Sequence, residues 1–471
     1  MGLALSIPVL VQGQAPLVPT GSELQVSGAL AGNQVYPSLS LGTSGGVAVW
    51  QDNNIEGAGW GIAARLLDAT GTAIGVPFRV NAGVAGDQEK PQAALLNGGG
   101  AVFVWQGGQV GFHTVYARFR SKAGVFVTGD VLVSQPLIAA TNRETKLLPV
   151  IRNNRPTVER TLVTTITSRR RDFSITPVVA TLADGNVIVA YAAYHRLTTN
   201  APVVLPRVEG TGSHVLTNSI LTSQETGVDQ MLDVYARRYT PGGLPVGDEL
   251  RANQVIKYNQ RNPAVAALPN GNFVLVWVSE NQGVSETNLT NGQERQDVYA
   301  RVYNAGGVAL TSEFRVNDPV SRENGFPSVA ALAGGGFRVA WAQNALLASN
   351  GLDIVTRTFD ARGGAVSETL RVNTYTPGDQ FAPKVASCPA GELIVWISMN
   401  QDGSREGLYG QWICGGLLTG AEFRVNTTTA GPQFQQSVTA TSGNRVMVGW
   451  SGLRQGADFD IFGQVYSASN P

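Results

Sequence analysis

A short apolar run ending in tryptophan constrains this chain more than any other feature, because it keeps returning. Phe273-Val274-Leu275-Val276-Trp277 is the clearest copy. Val47-Ala48-Val49-Trp50, Val102-Phe103-Val104-Trp105, Phe337-Arg338-Val339-Ala340-Trp341, Leu393-Ile394-Val395-Trp396 and Val446-Met447-Val448-Gly449-Trp450 repeat it. Val187-Ile188-Val189-Ala190-Tyr191 is a seventh copy that ends in tyrosine. Six of the eight tryptophans occupy this one position, which marks a repeat protein.

Aligned on the aromatic, each unit has four pieces, named A to D. A follows a proline and is built of small residues, as in Pro263-Ala264-Val265-Ala266-Ala267-Leu268. B is the run that ends in tryptophan. C is Asp297-Val298-Tyr299-Ala300-Arg301-Val302-Tyr303, and D is Glu313-Phe314-Arg315-Val316-Asn317. All four are β-prone and bounded by Gly, Asn or Pro, the pattern of strands in hairpins. The turns Asn270-Gly271, Asp184-Gly185, Gly242-Gly243 and Gly306-Gly307 supply the positive φ that tight hairpins need. No amphipathic helical period appears in the units.

The aromatic anchors lie 55, 86, 86, 64, 55 and 54 residues apart, so the base unit is near 54 and the excess is insertion. One four-stranded antiparallel sheet per unit is the signature of a propeller blade. The last unit has A (Ser437 to Ala440), B (to Trp450) and C (Ile461 to Tyr466), then stops without D. An unpaired D-like strand, Glu23-Leu24-Gln25-Val26, precedes the first unit. Lending that strand to the last blade would close a ring without an exposed edge. The expected fold is therefore all-β: a seven-bladed β-propeller, four antiparallel strands per blade, spanning 22–471, with 1–21 as a leader or extended tail.

The units resemble a family of bacterial extracellular propeller repeats. That family's pattern runs GDQ, then proline and V-A-x-L, then GG-x-V-V-x-W, then Y-x-R-x-F-D, then FRVN. Gly378-Asp379-Gln380, Phe359-Asp360-Ala361 and Phe423-Arg424-Val425-Asn426 stand in those places. Unit 2 departs at strand D (Val131-Leu132-Val133) and unit 3 at the aromatic. The resemblance implies a secreted or cell-surface protein, extracellular or periplasmic, and implies little about activity.

Arginine recurs in strand C (Arg65, Arg118, Arg237, Arg301, Arg357) and strand D (Arg79, Arg251, Arg315, Arg371, Arg424), and Asn81, Asn253, Asn317, Asn373 and Asn426 close strand D. A feature present in nearly every blade reads as fold chemistry rather than a site. The site is sought where blades differ. Insertions 136–172 and 192–231 flank unit 3, 279–296 lies in unit 4 and 342–352 in unit 5. All fall on the face that carries the B–C and D–A loops, which makes that face the candidate for recognition.

The 136–172 insertion holds eight basic residues against three acidic, a formal +5. Arg152, Arg155, Arg169, Arg170 and Arg171, with His195, Arg196 and His214 of the next insertion, are the candidate binding residues for an anionic glycan or protein partner. A solvated strand pair or a contact with another subunit is the alternative, and Thr161 to Thr167 is β-prone enough to pair. Asp52, Asn54 and Glu56, and Asn400, Asp402 and Glu406, are oxygen-rich loops to be weighed as calcium sites against plain Asx turns. No other cofactor is implied. Rim carboxylates Asp87, Glu323 and Asp379 would serve a glycosidase or lyase, but they occupy a repeat position. Cys388 and Cys414 end strands A and C of unit 6, roughly 9–10 Å apart across strand B. That exceeds the usual reach of a disulfide, although turn residues can swing inward and export favours oxidation.

Lys+Arg and Asp+Glu both number 34, so no global charge points to nucleic acid. No apolar run is long enough to span a membrane. Residues 1–15 read either as the end of a secretory signal or as a loose apolar tail. The sequence favours a non-catalytic binding or assembly module that uses its elaborated face. A carbohydrate-active enzyme with carboxylates at the channel mouth, or a subunit of a larger surface assembly, are the alternatives.

Overall fold

The computed structural model describes residues 17–468, apart from 58, 84, 110–112, 135–136, 153–154, 202–221, 225–227, 285–293, 320–322, 345–350, 404, 430 and 455–457. Along 137–152, 155–172, 194–201, 222–224 and 228–230 the description covers the strands but not the side chains.

Seven antiparallel sheets account for every named strand, and no helix occurs among the described residues. They are the blades, at 34–79, 87–132, 137–251, 260–315, 324–371, 380–424 and 433–468. Within each, the strands lie side by side in chain order. The A strands of successive blades contact one another all the way round, including the last against the first, so A is innermost and the ring is closed. The six tryptophans and Tyr191 are all fully buried, at the heart of the clusters that pack blade against blade.

Closure uses the N-terminal segment. Leu24 pairs with Gly463 and Gln25 with Phe462 in strand C of blade 7. Val26 is fully buried against Met447, Ile461 and Val465. The expected lead-in also joins the sheet: Leu17–Pro19 pairs with the same strand, Leu17 opposite Ala468. The propeller thus includes part of the segment first read as a tail.

The recurring polar residues join strands and blades. At the position of the GDQ glutamine, a glutamine accepts the indole N–H of its own blade: Trp105 to Gln88 at 2.8 Å, Trp277 to Gln260 at 3.2 Å, Trp396 to Gln380 at 3.3 Å. Asn324 does the same for Trp341. In blade 3 both partners change together, to Tyr191 and Ser174, and the Tyr191 hydroxyl turns outward to Glu249. The FRVN asparagine accepts the strand C backbone N–H at 2.7–2.9 Å in five blades. Ser134 and Ser27 do this work in blades 2 and 7. The strand C arginine reaches back to a strand D carbonyl of the preceding blade: Arg65 to Val26, Arg118 to Val80, Arg301 to Ala252, Arg357 to Val316. The strand D arginines lie 3.5–4.0 Å from Glu56, Asp233, Asp297 and Asp353. The strand C arginines are staples between blades, each such charged bond to a carbonyl contributing about 1.5–3 kcal/mol, while the strand D arginines pair within their own blade.

Blade 3 departs from the others by extension of its sheet. The first insertion is not a loop on the D–A connection. Leu137–Arg152 and Arg155–Thr181 form one long hairpin, the second strand running straight on into strand A. Thr161 to Thr167 pairs with residues 140 to 146 of this same chain. Strand B likewise continues to Ala201 and pairs with Val228–Tyr239. The outer edge strand of the sheet on this side is Leu137–Arg152, where Pro149 is tolerated because an edge position needs no second bonded N–H.

Candidate functional site

The start of every strand A carries the same local break. The ladder between strands A and B skips at Val35/Ser38, Glu89/Gln92, Ile175/Val178, Arg261/Ala264, Gly325/Ser328, Phe381/Lys384 and Phe434/Ser437. At each bulge one non-glycine residue is left-handed: Tyr36, Lys90, Thr176, Asn262, Phe326, Ala382 and Gln435, with φ between 49° and 57°. Six of these precede proline, a context that disfavours helical φ/ψ of either hand and favours extended backbone. Each left-handed residue costs about 1–2 kcal/mol. The surrounding bonds hold them there. Tyr36 N donates to Gln435 Oε1 at 2.9 Å, Thr176 N to Gln106 Oε1 at 3.0 Å, and Lys90 N to Gln51 Oε1 at 3.4 Å, so each is gripped by the blade before it.

Strand A is innermost and begins on the face of the D–A loops. The seven left-handed residues therefore ring the channel mouth on that face. Their backbone is uniform and their side chains are not. Two are large and exposed, Phe326 at 45% and Tyr36 at 37%. Phe326 leans on Phe381 of the next blade with ring centroids 6.1 Å apart. Deeper in the channel, hydroxyls satisfy the free inner edge of the neighbouring strand A: Ser38 and Ser40 accept from Ala93 N and Leu95 N, Ser437 and Thr439 from Leu39 N and Leu41 N, Ser328 from Val385 N. This explains the serines of strand A more fully than crowding does.

The carboxylates near the mouth are engaged. Asp87 Oδ1 accepts from Trp60 N and Asp379 Oδ1 from Leu352 N, each at 3.0 Å, clasping strand C of the preceding blade. Glu323 accepts from Asn344 Nδ2 at 3.1 Å. Glu89 accepts from Gln106 Nε2 at 3.0 Å and lies 3.5 Å from the buried His113, while Glu280 pairs with Arg261 at 2.7 Å. Asp87, Glu323 and Asp379 stand at the rim in blades 2, 5 and 6, each already bonded there.

The other residues marked from sequence fall as follows. Arg169, Arg170 and Arg171 sit on the long central strand of blade 3, where Arg170 is opposite Arg196 and Arg171 opposite His195. Arg152 and Arg155 face each other at the hairpin end. The register thus gathers several cations on one projecting sheet. His214 lies outside the described residues. The first calcium candidate is an Asx turn: Asp52 Oδ1 takes the backbone N–H of Asn54 and Ile55, and Oδ2 takes the Trp50 indole. Glu56 is bound to Asn81 and Arg79, and burial raises its pKa. In the second candidate, Asn400 is left-handed and its N–H donates to Arg405 O at 2.8 Å, closing the turn that carries Asp402 and Glu406. Among the described residues no three His, Cys, Asp or Glu side chains converge on a metal position. The Cys388–Cys414 disulfide is not formed. Both are free buried thiols with strand Gly391–Met399 between their strands, and burial raises the pKa of each.

The mouth ring escaped sequence reading: its seven residues are all of different types, and only the proline that follows six of them marks the position.

No protein-family model matches the chain, and no curated protein matches its sequence. Several solved structures are similar to it along most of their length. A protein of unknown function from Dyadobacter fermentans is 10% identical, with a TM-score of 0.48 over 97% of this chain and 100% of its own. The polysaccharide lyase Uly1 is also 10% identical, with a TM-score of 0.48 over 99% of this chain and 100% of its own. An α-L-arabinanase from Penicillium chrysogenum, complexed with arabinobiose, is 11% identical at a TM-score of 0.41 over 98% and 99%. Likeness at this level bears on the fold alone. Among the described residues no helix is long and apolar enough to cross a membrane.

Proposed function

We propose that this chain is a saccharide-binding propeller that seats its ligand at the channel mouth on the D–A face. The observation that carries the reading is the ring of seven left-handed bulge residues, uniform in backbone and varied in side chain. The ring offers two exposed aromatic faces, Tyr36 and Phe326, on which the apolar face of a sugar can stack. It also offers the half-buried amide of Asn262. The repeat signature supports a secreted or surface setting, where such ligands are met.

A glycan-array screen of the intact chain tests this, with Tyr36→Ala and Phe326→Ala in parallel and a reducing-end assay on every positive glycan. The expected result is retention of a defined glycan set, lost in both variants, with no release of reducing ends. Binding indifferent to both substitutions defeats the seat; turnover defeats the non-catalytic reading.

A second reading rests on the free edge of Leu137–Arg152. A long edge strand invites strand addition by a partner chain, so the projecting sheet of blade 3 is an assembly arm. Light scattering with and without residues 140–170 tests it, and an unchanged mass counts against the arm.

A further inference from the structure

Within that seat, one channel position breaks the pattern of the ring. The first residue after each bulge pairs with strand B and is Ser38, Gln92, Val178, Ala264, Ser328 or Ser437 in six blades. In blade 6 it is Lys384, opposite Val395. Fold requirements do not call for a cation here, because six neutral residues meet them. The Lys384 side chain is exposed, and the protein packed near it lowers its pKa by desolvation. Among the described residues no carboxylate pairs with it. The mouth carboxylates that could have done so are bonded elsewhere, Glu89 to Gln106, Glu280 to Arg261 and Glu323 to Asn344.

The backbone around Lys384 is fixed from both sides. Val385 N donates to Ser328 Oγ of blade 5 at 3.1 Å, and Gln436 of blade 7 donates to the Ala382 carbonyl. Three residues before it on the same strand stands Phe381, packed on the exposed Phe326. One sector of the mouth therefore combines an aromatic platform with an exposed cation that has no carboxylate partner among the described residues. An ammonium with no carboxylate partner is available to make a charge-assisted hydrogen bond to an anion.

We propose that the seat takes an acidic saccharide, with the sugar ring on Phe326 and Phe381 and a uronic-acid carboxylate on the Lys384 ammonium. This rests on the saccharide-binding reading and narrows it to one chemical class. The platform gives affinity and the lysine gives preference for the charged sugar.

Isothermal calorimetry on the intact chain with tetragalacturonate and its fully methyl-esterified form separates the two claims, since the ester keeps the sugars and removes the charge. Wild type is expected to favour the acid at least tenfold. Lys384→Met should abolish that preference by weakening the acid alone, Lys384→Arg should keep most of it, and Phe326→Ala should weaken both saccharides about equally. Unchanged thermal unfolding of each variant guards against misfolding. Equal wild-type affinity for acid and ester, both sensitive to Phe326→Ala, overturns the acidic-sugar claim and leaves the seat standing. Binding of both saccharides that ignores Phe326→Ala overturns the seat itself. Failure to bind either at millimolar concentration overturns the proposal as stated.

Discussion

Ring closure by the N-terminal strand can be tested with one methyl-scale substitution. Val26 and Val372 occupy equivalent positions after strand D, in blades 7 and 5, and both are fully buried. Val26 packs on Met447, Ile461 and Val465, and a carbon added at Gly463 would stand 3.0 Å from its Cγ2, so no slack surrounds it. Val26→Ala removes two buried methyl groups. At about 0.8 kcal/mol per group, with the unfilled cavity added, the cost comes to about 2–3 kcal/mol. Val372→Ala should cost the same, because the closing strand packs as an ordinary strand D. Urea unfolding read by tryptophan fluorescence suits the purpose, since six tryptophans are fully buried. The expected result is a matched loss of stability at unchanged slope. If Val26→Ala is neutral while Val372→Ala costs 2–3 kcal/mol, the terminal strand is decoration and the closure argument fails.

Three further outcomes follow from the same geometry. Asn317→Ala should cost about 3–5 kcal/mol, because it strands the Val298 amide and a buried oxygen of Asp297, each worth about 1–3 kcal/mol when unpaired. Asn317→Ser should recover part of this, since Ser27 and Ser134 hold the equivalent amide elsewhere; a loss under 1 kcal/mol for the alanine variant speaks against the latch. Burial raises the pKa of Asp460 above the ordinary aspartate value, although Gln25 and Arg454 pull the other way. Its folded form therefore prefers the proton, so the wild type loses stability as pH rises through the raised pKa. Asp460→Asn should stabilise the protein at neutral pH by a margin that narrows as pH falls toward the ordinary carboxylate range, and a margin that widens on acidification would contradict this. Finally, Cys388 and Cys414 should both titrate with a thiol reagent after unfolding without reductant, and react slowly in the native state. Fewer than two thiols on unfolding would restore the disulfide.

Most of the architecture was legible because it is written in repetition. The Trp277 run, the glycine turns and the missing last strand D each follow from local pattern, and together they close the ring. The arginines read correctly as structural for the same reason. The blade 3 extension was only half legible. Thr161 to Thr167 announces a strand, but its partner at residues 140–146 is set by long-range register. The mouth ring was illegible for a physical reason. A residue before proline is normally extended, and only contacts from the neighbouring blade, such as Gln435 on Tyr36 N, pin it left-handed. Asp52 and Glu56 look like cation ligands in one dimension, and their donors Trp50 and Asn81 become apparent only once the strands are laid together.

The most direct measurement of the account is a crystal structure of the intact chain with the best glycan from the array. The account predicts a saccharide at the channel mouth, in contact with Phe326 and Tyr36 and within hydrogen-bond reach of Lys384. A saccharide on the short-turn face, or along the Leu137–Arg152 edge with the mouth empty, would contradict it.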